Sequence, residues 1–163
     1  MTLGQVHFSA ALVALGAGAV TLLRRKGTSS HRRLGWVYVL SMIVLNVSAL
    51  MIYRLTRTFG PFHVAAVVSL ASLIAGVVPA WRKKPAKQWY DYHYFFMSYS
   101  YLGLVAAAFA ETATRVPAIR SFSGGPTARF WIIVAGVSVA IFAIGSTLIR
   151  RGATRILPSF RRG

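Results

Sequence analysis

Five long apolar stretches dominate this chain of 163 residues. A stretch of about 20 apolar residues is long enough to cross the hydrocarbon core of a bilayer as a helix. Backbone polar groups find no water in that core, so helices, which satisfy these groups internally, are the expected form. The predicted spans are residues 6–23, 34–53, 62–81, 94–112 and 130–149.

The composition predicts an all-α integral membrane protein that forms a single domain over residues 1–163. Hydrophobic residues make up 56% of the chain and charged residues 13%, about half the charged share of a soluble protein. The absence of cysteine excludes disulfides, thiolate metal sites and c-type haem attachment. We expect the first four spans to form an antiparallel four-helix bundle, with the fifth helix packed on its outside.

The net charge of +17 comes from basic residues that cluster between the apolar stretches. Fourteen Lys and Arg residues fall in the first connection, the third connection and the C-terminal tail, against five in the other two connections. The positive-inside rule therefore predicts an inner-membrane protein with its N-terminus outside and its C-terminus in the cytoplasm. No soluble basic region remains to bind nucleic acid. Residues 113–129, which contain Pro and Gly, predict a flexible external loop.

Four histidines lie at the ends of four different spans. His7 and His63 open the first and third spans, whereas His31 and His93 precede the second and fourth. Because the spans alternate in direction, the first two should lie at one face of the membrane and the other two at the opposite face. Imidazole at membrane depth is costly and unusual, so these residues are candidates for a functional site. Glu111 follows His93 by 18 residues, or five helical turns, so the two share a helix face.

Each of these residues also has a structural interpretation. The aromatic residues around His93 are typical of an interfacial belt, which needs no cofactor. His7 and His63 could bond to carbonyl groups or water near the surface, and the small residues below them are typical of close helix packing. Glu111 could form an ion pair with Arg115, four residues later.

Several segments resemble an uncharacterised bacterial family of small multi-span membrane proteins, known as a domain of unknown function. The resemblance covers about residues 1–120. It implies a membrane protein, and no established activity comes with the family. The matching segments are His7 in its Ala/Gly-rich helix and residues 31–38, 59–63, 93–101 and 110–117.

The layout is also similar to the b-type diheme cytochromes, in which opposite helices of a four-helix bundle each give one histidine to a haem. This resemblance implies one haem b between His7 and His63, a second between His31 and His93, and electron transfer across the membrane. The histidines lie nearer the helix ends than in those cytochromes. A quinone or a redox protein would then be the partner, besides the lipid bilayer.

Two alternatives stay open. His7, His63 and Glu111 form a two-histidine, one-carboxylate set that could bind Zn²⁺ or Fe²⁺, or a proton, in a small transporter. The chain could instead be a non-catalytic subunit whose fifth helix docks a partner or a second copy of the chain. No nucleophile–base pair, phosphate loop or nucleotide motif indicates an enzyme that acts on soluble substrates.

Overall fold

Five α-helices and no strand make up the described part of the computed structural model, which covers residues 1–53, 57–86, 88–116 and 128–161. The all-α prediction is therefore confirmed. Most of the predicted external loop, residues 117–127, lies outside the described residues. The helices are α1 (Leu3–Leu23), α2 (Ser29–Leu50), α3 (Pro61–Arg82), α4 (Trp89–Arg115) and α5 (Ala128–Arg161).

Local capping explains where the first three helices begin. The Thr2 and Gln5 side chains each bond the other's backbone at the start of α1, which is a capping box. The Thr28 hydroxyl accepts the backbone N–H of His31 at 3.2 Å, so α2 begins at Ser29. His31 therefore lies in the first turn of α2 rather than before it. At the start of α3, the backbone N–H of Gly60 donates to His63 Nδ1 at 3.1 Å. α4 begins at Trp89, so it already contains His93.

The first four helices pack in a ring. α1 packs most extensively on α2, and α3 on α4, while α2–α3 and α1–α4 form smaller interfaces. Within the described residues, the backbone of α1 does not approach that of α3, nor the backbone of α2 that of α4, so these pairs are the diagonals of the bundle. His7 near the start of α1 contacts Ser48 near the end of α2, and the carbonyl of Gly76 late in α3 contacts His93 early in α4. Neighbouring helices are therefore antiparallel.

α5 lies outside this ring and packs mainly on α4, with one ring contact to α3 between Trp131 and Phe62, whose centroids are 5.8 Å apart. Two glycines let it approach closely, because a Cβ at Gly145 would lie 2.2 Å from Leu102 and one at Gly152 would lie 2.5 Å from the Tyr94 hydroxyl. The Tyr94 hydroxyl donates to the Ile149 carbonyl at 2.8 Å. The predicted peripheral position of the fifth helix is confirmed.

Four of the five helices, α1, α2, α3 and residues 128–157 of α5, are long and apolar enough to cross a membrane. α4 has 27 residues and spans about 40 Å, which is long enough to cross a bilayer. Its Tyr, Ser and His residues reduce its hydropathy, and several of them are buried against the other helices. The chain is an integral membrane protein in which α4 is the polar member of the bundle.

The middle of the bundle interior combines buried apolar residues, among them Met42, Leu73 and Leu104, with the polar aromatic residues Tyr38 and Tyr101. Tyr38 and Ser100 share a buried hydrogen bond of 2.9 Å that joins the diagonal helices α2 and α4. The Tyr101 hydroxyl donates to the Leu15 carbonyl of α1 at 3.2 Å. Gly18 is required here, because a Cβ at this position would lie 2.4 Å from the Tyr101 ring. The middle of the bundle is therefore packed, and both candidate sites lie at its ends.

Candidate functional site

His31 and His93 meet inside the bundle at the end that we call the His31 end, defined by these two residues. Their ring centroids are 6.3 Å apart and their planes are 85° apart. The two residues come from α2 and α4, which are diagonal helices, so only their side chains bridge the interior. Both residues lie early in their helices, which places them at one level of the bundle.

This ring separation is compatible with one metal ion between the two imidazoles. A metal ion lies about 2.0 Å from an imidazole nitrogen, and each ring centroid lies roughly 1.1 Å behind its nitrogen. Two such rings on opposite sides of one ion have centroids about 6 Å apart. The same separation is also typical of an edge-to-face ring pair, so the spacing permits a shared metal and does not by itself require one.

A backbone carbonyl fixes the protonation of the His93 ring. His93 Nδ1 lies 2.9 Å from the Gly76 carbonyl oxygen, which can only accept, so Nδ1 carries the proton. In the neutral ring Nε2 is then the nitrogen with a free lone pair, as in metal-ligating histidines whose other nitrogen donates to a carbonyl. Gly76 brings α3 close to α4, because a Cβ on it would lie 2.8 Å from the sulfur of Met97.

Lys26 brings a positive charge to the His31 end from the turn between α1 and α2. Its ammonium group donates to the Thr21 and Leu22 carbonyls at 3.0 and 2.8 Å, which caps the C-terminus of α1. Partial burial lowers the pKa of Lys26. The ammonium acts electrostatically on both His31 and His93, so an anionic group between these rings would be favoured.

An open cavity of about 360 Å³ lies on the first turns of α4 at the His31 end. Its walls combine aromatic rings with one carboxylate, and all of its lining residues fall within two turns of His93. They are Gln88, Asp91, Tyr92, Phe95 and Phe96.

The opposite end of the bundle, which we call the His7 end, contains His7, Ser48, His63 and Glu111. The Ser48 hydroxyl donates to the Leu45 carbonyl at 2.8 Å, so its oxygen accepts from His7 Nδ1 at 3.1 Å. His7 Nε2 then faces a carboxylate oxygen of Glu111 at 3.4 Å. With Nδ1 already a donor, the His7–Glu111 contact needs a second proton, carried either by the imidazole or by the carboxyl.

His63 has a separate environment at this end. Its Nδ1 accepts the backbone N–H of Gly60 at 3.1 Å, and the rings of Tyr53 and Phe59 pack against the imidazole with centroids 4.5 and 5.1 Å away. His63 is only 3% exposed, and in the part of the chain that the structure describes its Nε2 has no hydrogen-bond partner.

Comparison with known proteins identifies the family of this chain. Residues 4–149 match the model of a family described as "Predicted membrane protein (DUF2306)". The chain belongs to this family. No curated protein and no solved structure matches it. The family resemblance predicted from sequence is confirmed, whereas the similarity to diheme cytochromes stays a prediction.

The structure brings some of the predicted site residues together and separates others. His31 and His93 meet, and His93 and Glu111 both contact neighbouring helices of the bundle, as their spacing on α4 predicts. His7 contacts Glu111, whereas His63 bonds to Gly60 and stacks between two aromatic rings. Within the described residues, no group of three or more His, Cys, Asp or Glu side chains is placed to hold a metal ion.

Sequence reasoning missed Lys26, Ser48 and Gly76 as parts of these sites. Lys26 is one of the basic residues of the first connection. Its position between two helices gives it a second role, because it caps the end of α1 next to the histidine pair. The Gly76 and Ser48 contacts depend on the rotation of neighbouring helices, which a single sequence does not specify. The Gly60–His63 bond, in contrast, could have been predicted from the sequence, because the two residues are three positions apart at the start of a helix.

Proposed function

We propose that this integral membrane protein is an electron carrier that binds b-type haem through His31 and His93. The observation that carries the proposal is the meeting of these two imidazoles, 6.3 Å apart, from diagonal helices of the bundle. Opposite helices supply the two axial ligands in the cytochromes that the layout resembles. The His93–Gly76 bond supports the same interpretation, since it leaves Nε2 available to iron.

The residues at the His31 end fit a haem in charge as well as in ligand type. Bound haem supplies reversible one-electron chemistry, and two imidazole ligands leave no open position for oxygen. The Lys26 ammonium is available to attract a propionate carboxylate at the same end. The cavity on the first turns of α4 is open and mostly aromatic, which suits the docking of a quinone or of a redox protein at this end of the bundle.

The His7 end gives less support to a second haem between His7 and His63. Both nitrogens of His7 already have partners, and His63 Nδ1 accepts an amide N–H, which leaves the proton on Nε2. A protonated nitrogen has no lone pair to give to iron. We therefore expect one haem per chain, at the His31 end.

The proposed orientation places the His31 end in the cytoplasm of an inner-membrane protein. The connections and the tail at that end carry fourteen of the Lys and Arg residues, against five at the His7 end. Positive charge is retained on the cytoplasmic side of membrane proteins.

The absorption spectrum tests the proposal. Protein produced with adequate haem supply and purified in detergent should show a Soret band, and an α-band on reduction by dithionite. Haem should amount to one per chain, and it should fall at least tenfold in His31→Ala and in His93→Ala. The matched variant His63→Ala should keep it. Absence of haem from the wild-type protein, or equal haem in all variants, would remove the proposal.

A second candidate function rests on the shared proton of His7 and Glu111. A carboxylate paired with imidazole inside a membrane bundle is typical of proton-binding sites in small transporters. If the chain moves protons, proteoliposomes should take up protons under an imposed potential, and Glu111→Gln should abolish this uptake. Asp91→Asn, which changes the chain's other acidic residue, is the matched control and should retain it. Equal uptake in wild-type protein and in Glu111→Gln would exclude this function.

A further inference from the structure

His63 holds a buried hydrogen-bond donor that no described residue of the chain accepts. Its Nδ1 accepts the Gly60 N–H at 3.1 Å, so the neutral ring carries its proton on Nε2. Nε2 is buried and has no hydrogen-bond partner among the described residues. A buried donor without a partner is destabilising, because it has lost its hydrogen bond to water and gained none in return.

The imidazole cannot turn to find a partner without losing its packing. Tyr53 and Phe59 pack on the ring with centroids 4.5 and 5.1 Å away and with tilts of 33° and 32°. The Gly60 N–H fixes the ring from a third direction. These three contacts come from the turn between α2 and α3 and from the start of α3. The donor therefore has a fixed position, which is a property of binding sites.

The surroundings of His63 indicate the chemistry of the missing acceptor. His63 lies on the stripe of α3 that is buried in the bundle, together with Ala66, Leu73 and Gly76. Tyr53 and Phe59 are 45% and 60% exposed, so the site is bordered by exposed aromatic surface at the end of the bundle. A neutral N–H at such a place favours a neutral acceptor delivered from the lipid phase. A carbonyl oxygen has this property, because it accepts hydrogen bonds and carries no charge.

We propose that the His63 Nε2–H donates to the carbonyl oxygen of a membrane-soluble molecule bound at the His7 end. Two sources supply this chemistry, namely the ring carbonyl of a quinone and the ester carbonyl of a phospholipid. The site is separate from the His31 end and does not require haem. It also gives His63 a role other than metal binding, because a protonated Nε2 cannot ligate a metal ion.

Isotope-edited infrared spectroscopy of the full chain in nanodiscs tests the proposal. In the first arm the nanodiscs contain ether lipids, which have no ester carbonyl, and a short-tailed benzoquinone with ¹³C in its carbonyl groups. In the second arm they contain ester lipids with ¹³C in the acyl carbonyls and no quinone. A hydrogen-bonded carbonyl band, shifted to lower wavenumber and amounting to one per protein, should appear in at least one arm. The arm in which it appears identifies the source.

Three variants assign that band. His63→Phe keeps a flat ring between Tyr53 and Phe59 but removes the donor, so the shifted band should disappear. His63→Gln keeps an N–H and should retain at least part of the band, which guards against a folding defect in the first variant. Tyr90→Phe removes a hydroxyl in the first turn of α4, at the other end of the bundle, so its band should match that of the wild type. No shifted band in either arm, or an unchanged band in His63→Phe, would overturn the proposal.

Discussion

Single side chains at the His31 end have geometric roles that can be tested apart from any cofactor. The contact between Gly76 and His93 depends on the close approach of α3 and α4, which only glycine allows at this position. The Lys26 ammonium serves both the end of α1 and the histidine pair. For each of these roles, a substitution of a comparable residue elsewhere in the chain provides a matched control.

We predict that Gly76→Ala destabilises the protein and disturbs His93. The new Cβ would lie 2.8 Å from the flexible Met97 sulfur, which can move, but also 3.2 Å from the Met97 backbone nitrogen, which cannot easily move. Overpacking of this kind costs about 1–3 kcal/mol. Thermal unfolding in detergent should occur several degrees lower than for the wild type. In Gly103→Ala the new Cβ meets nothing within 4 Å, so the melting temperature should be unchanged or higher. Equal melting temperatures for Gly76→Ala and the wild type would contradict this prediction.

We predict that Lys26→Met weakens the C-terminus of α1. The ammonium bonds two terminal carbonyls there, and a cation at a helix C-terminus contributes about 0.3–1 kcal/mol. Arg25→Met removes an equal charge from an exposed neighbour and is the control. Hydrogen exchange of the amides in the last turn of α1 should accelerate in Lys26→Met and not in Arg25→Met. The same exchange rate in both variants would show that the Lys26 contacts contribute nothing.

At the scale of helices, the sequence correctly predicts how many helices there are and in what order they follow, because apolar length and helical periodicity are local properties. The spacing of His93 and Glu111 on α4 correctly placed both on the side that contacts neighbouring helices. The rotation of α1 and α2 about their axes could not be predicted, since Ala, Leu and Val surround most of both helices. The Ser48–His7 contact could therefore not be predicted from the sequence. The polar surface of α4 belongs to the interior, although its composition alone would argue against a membrane span.

The Tyr38–Ser100 bond is the central polar link between α2 and α4, and we predict that these residues are energetically coupled. Both side chains are buried, and their oxygens are 2.9 Å apart. A double-mutant cycle with Tyr38→Phe and Ser100→Ala should give a coupling energy of about 0.6 kcal/mol, the average for hydrogen bonds between membrane helices, and at most about 1.7 kcal/mol. Tyr101→Phe combined with Ser100→Ala is the control pair, because Tyr101 bonds to a backbone carbonyl of α1 instead. Strictly additive effects of Tyr38→Phe and Ser100→Ala would contradict the prediction.

At the scale of the whole molecule, the two ends of the bundle differ in chemistry as well as in charge. The His31 end combines a meeting pair of imidazoles with most of the basic residues of the chain. The His7 end combines the contact between His7 and Glu111 with a buried His63 donor that no described residue accepts. This asymmetry predicts a defined orientation in the membrane.

We predict that the His7 end faces the outside of the cell. The chain has no cysteine, so single cysteines introduced at Thr2 and at Lys84 provide unique labels at the two ends. In intact cells a membrane-impermeant maleimide should label Thr2→Cys and spare Lys84→Cys, because fourteen basic residues hold the His31 end inside. Both should be labelled after lysis. Labelling of Lys84→Cys in intact cells would reverse the orientation.

Carbon monoxide binding to the reduced protein tests most directly whether His31 and His93 ligate the same iron. Two imidazole ligands leave no position open, so the spectrum of reduced wild-type protein should not change when carbon monoxide is added. His31→Gly and His93→Gly, each supplied with imidazole to retain haem and then freed of it, should bind carbon monoxide at the vacated position. Protein without haem, or wild-type haem that binds carbon monoxide as readily as both variants do, would contradict the assignment.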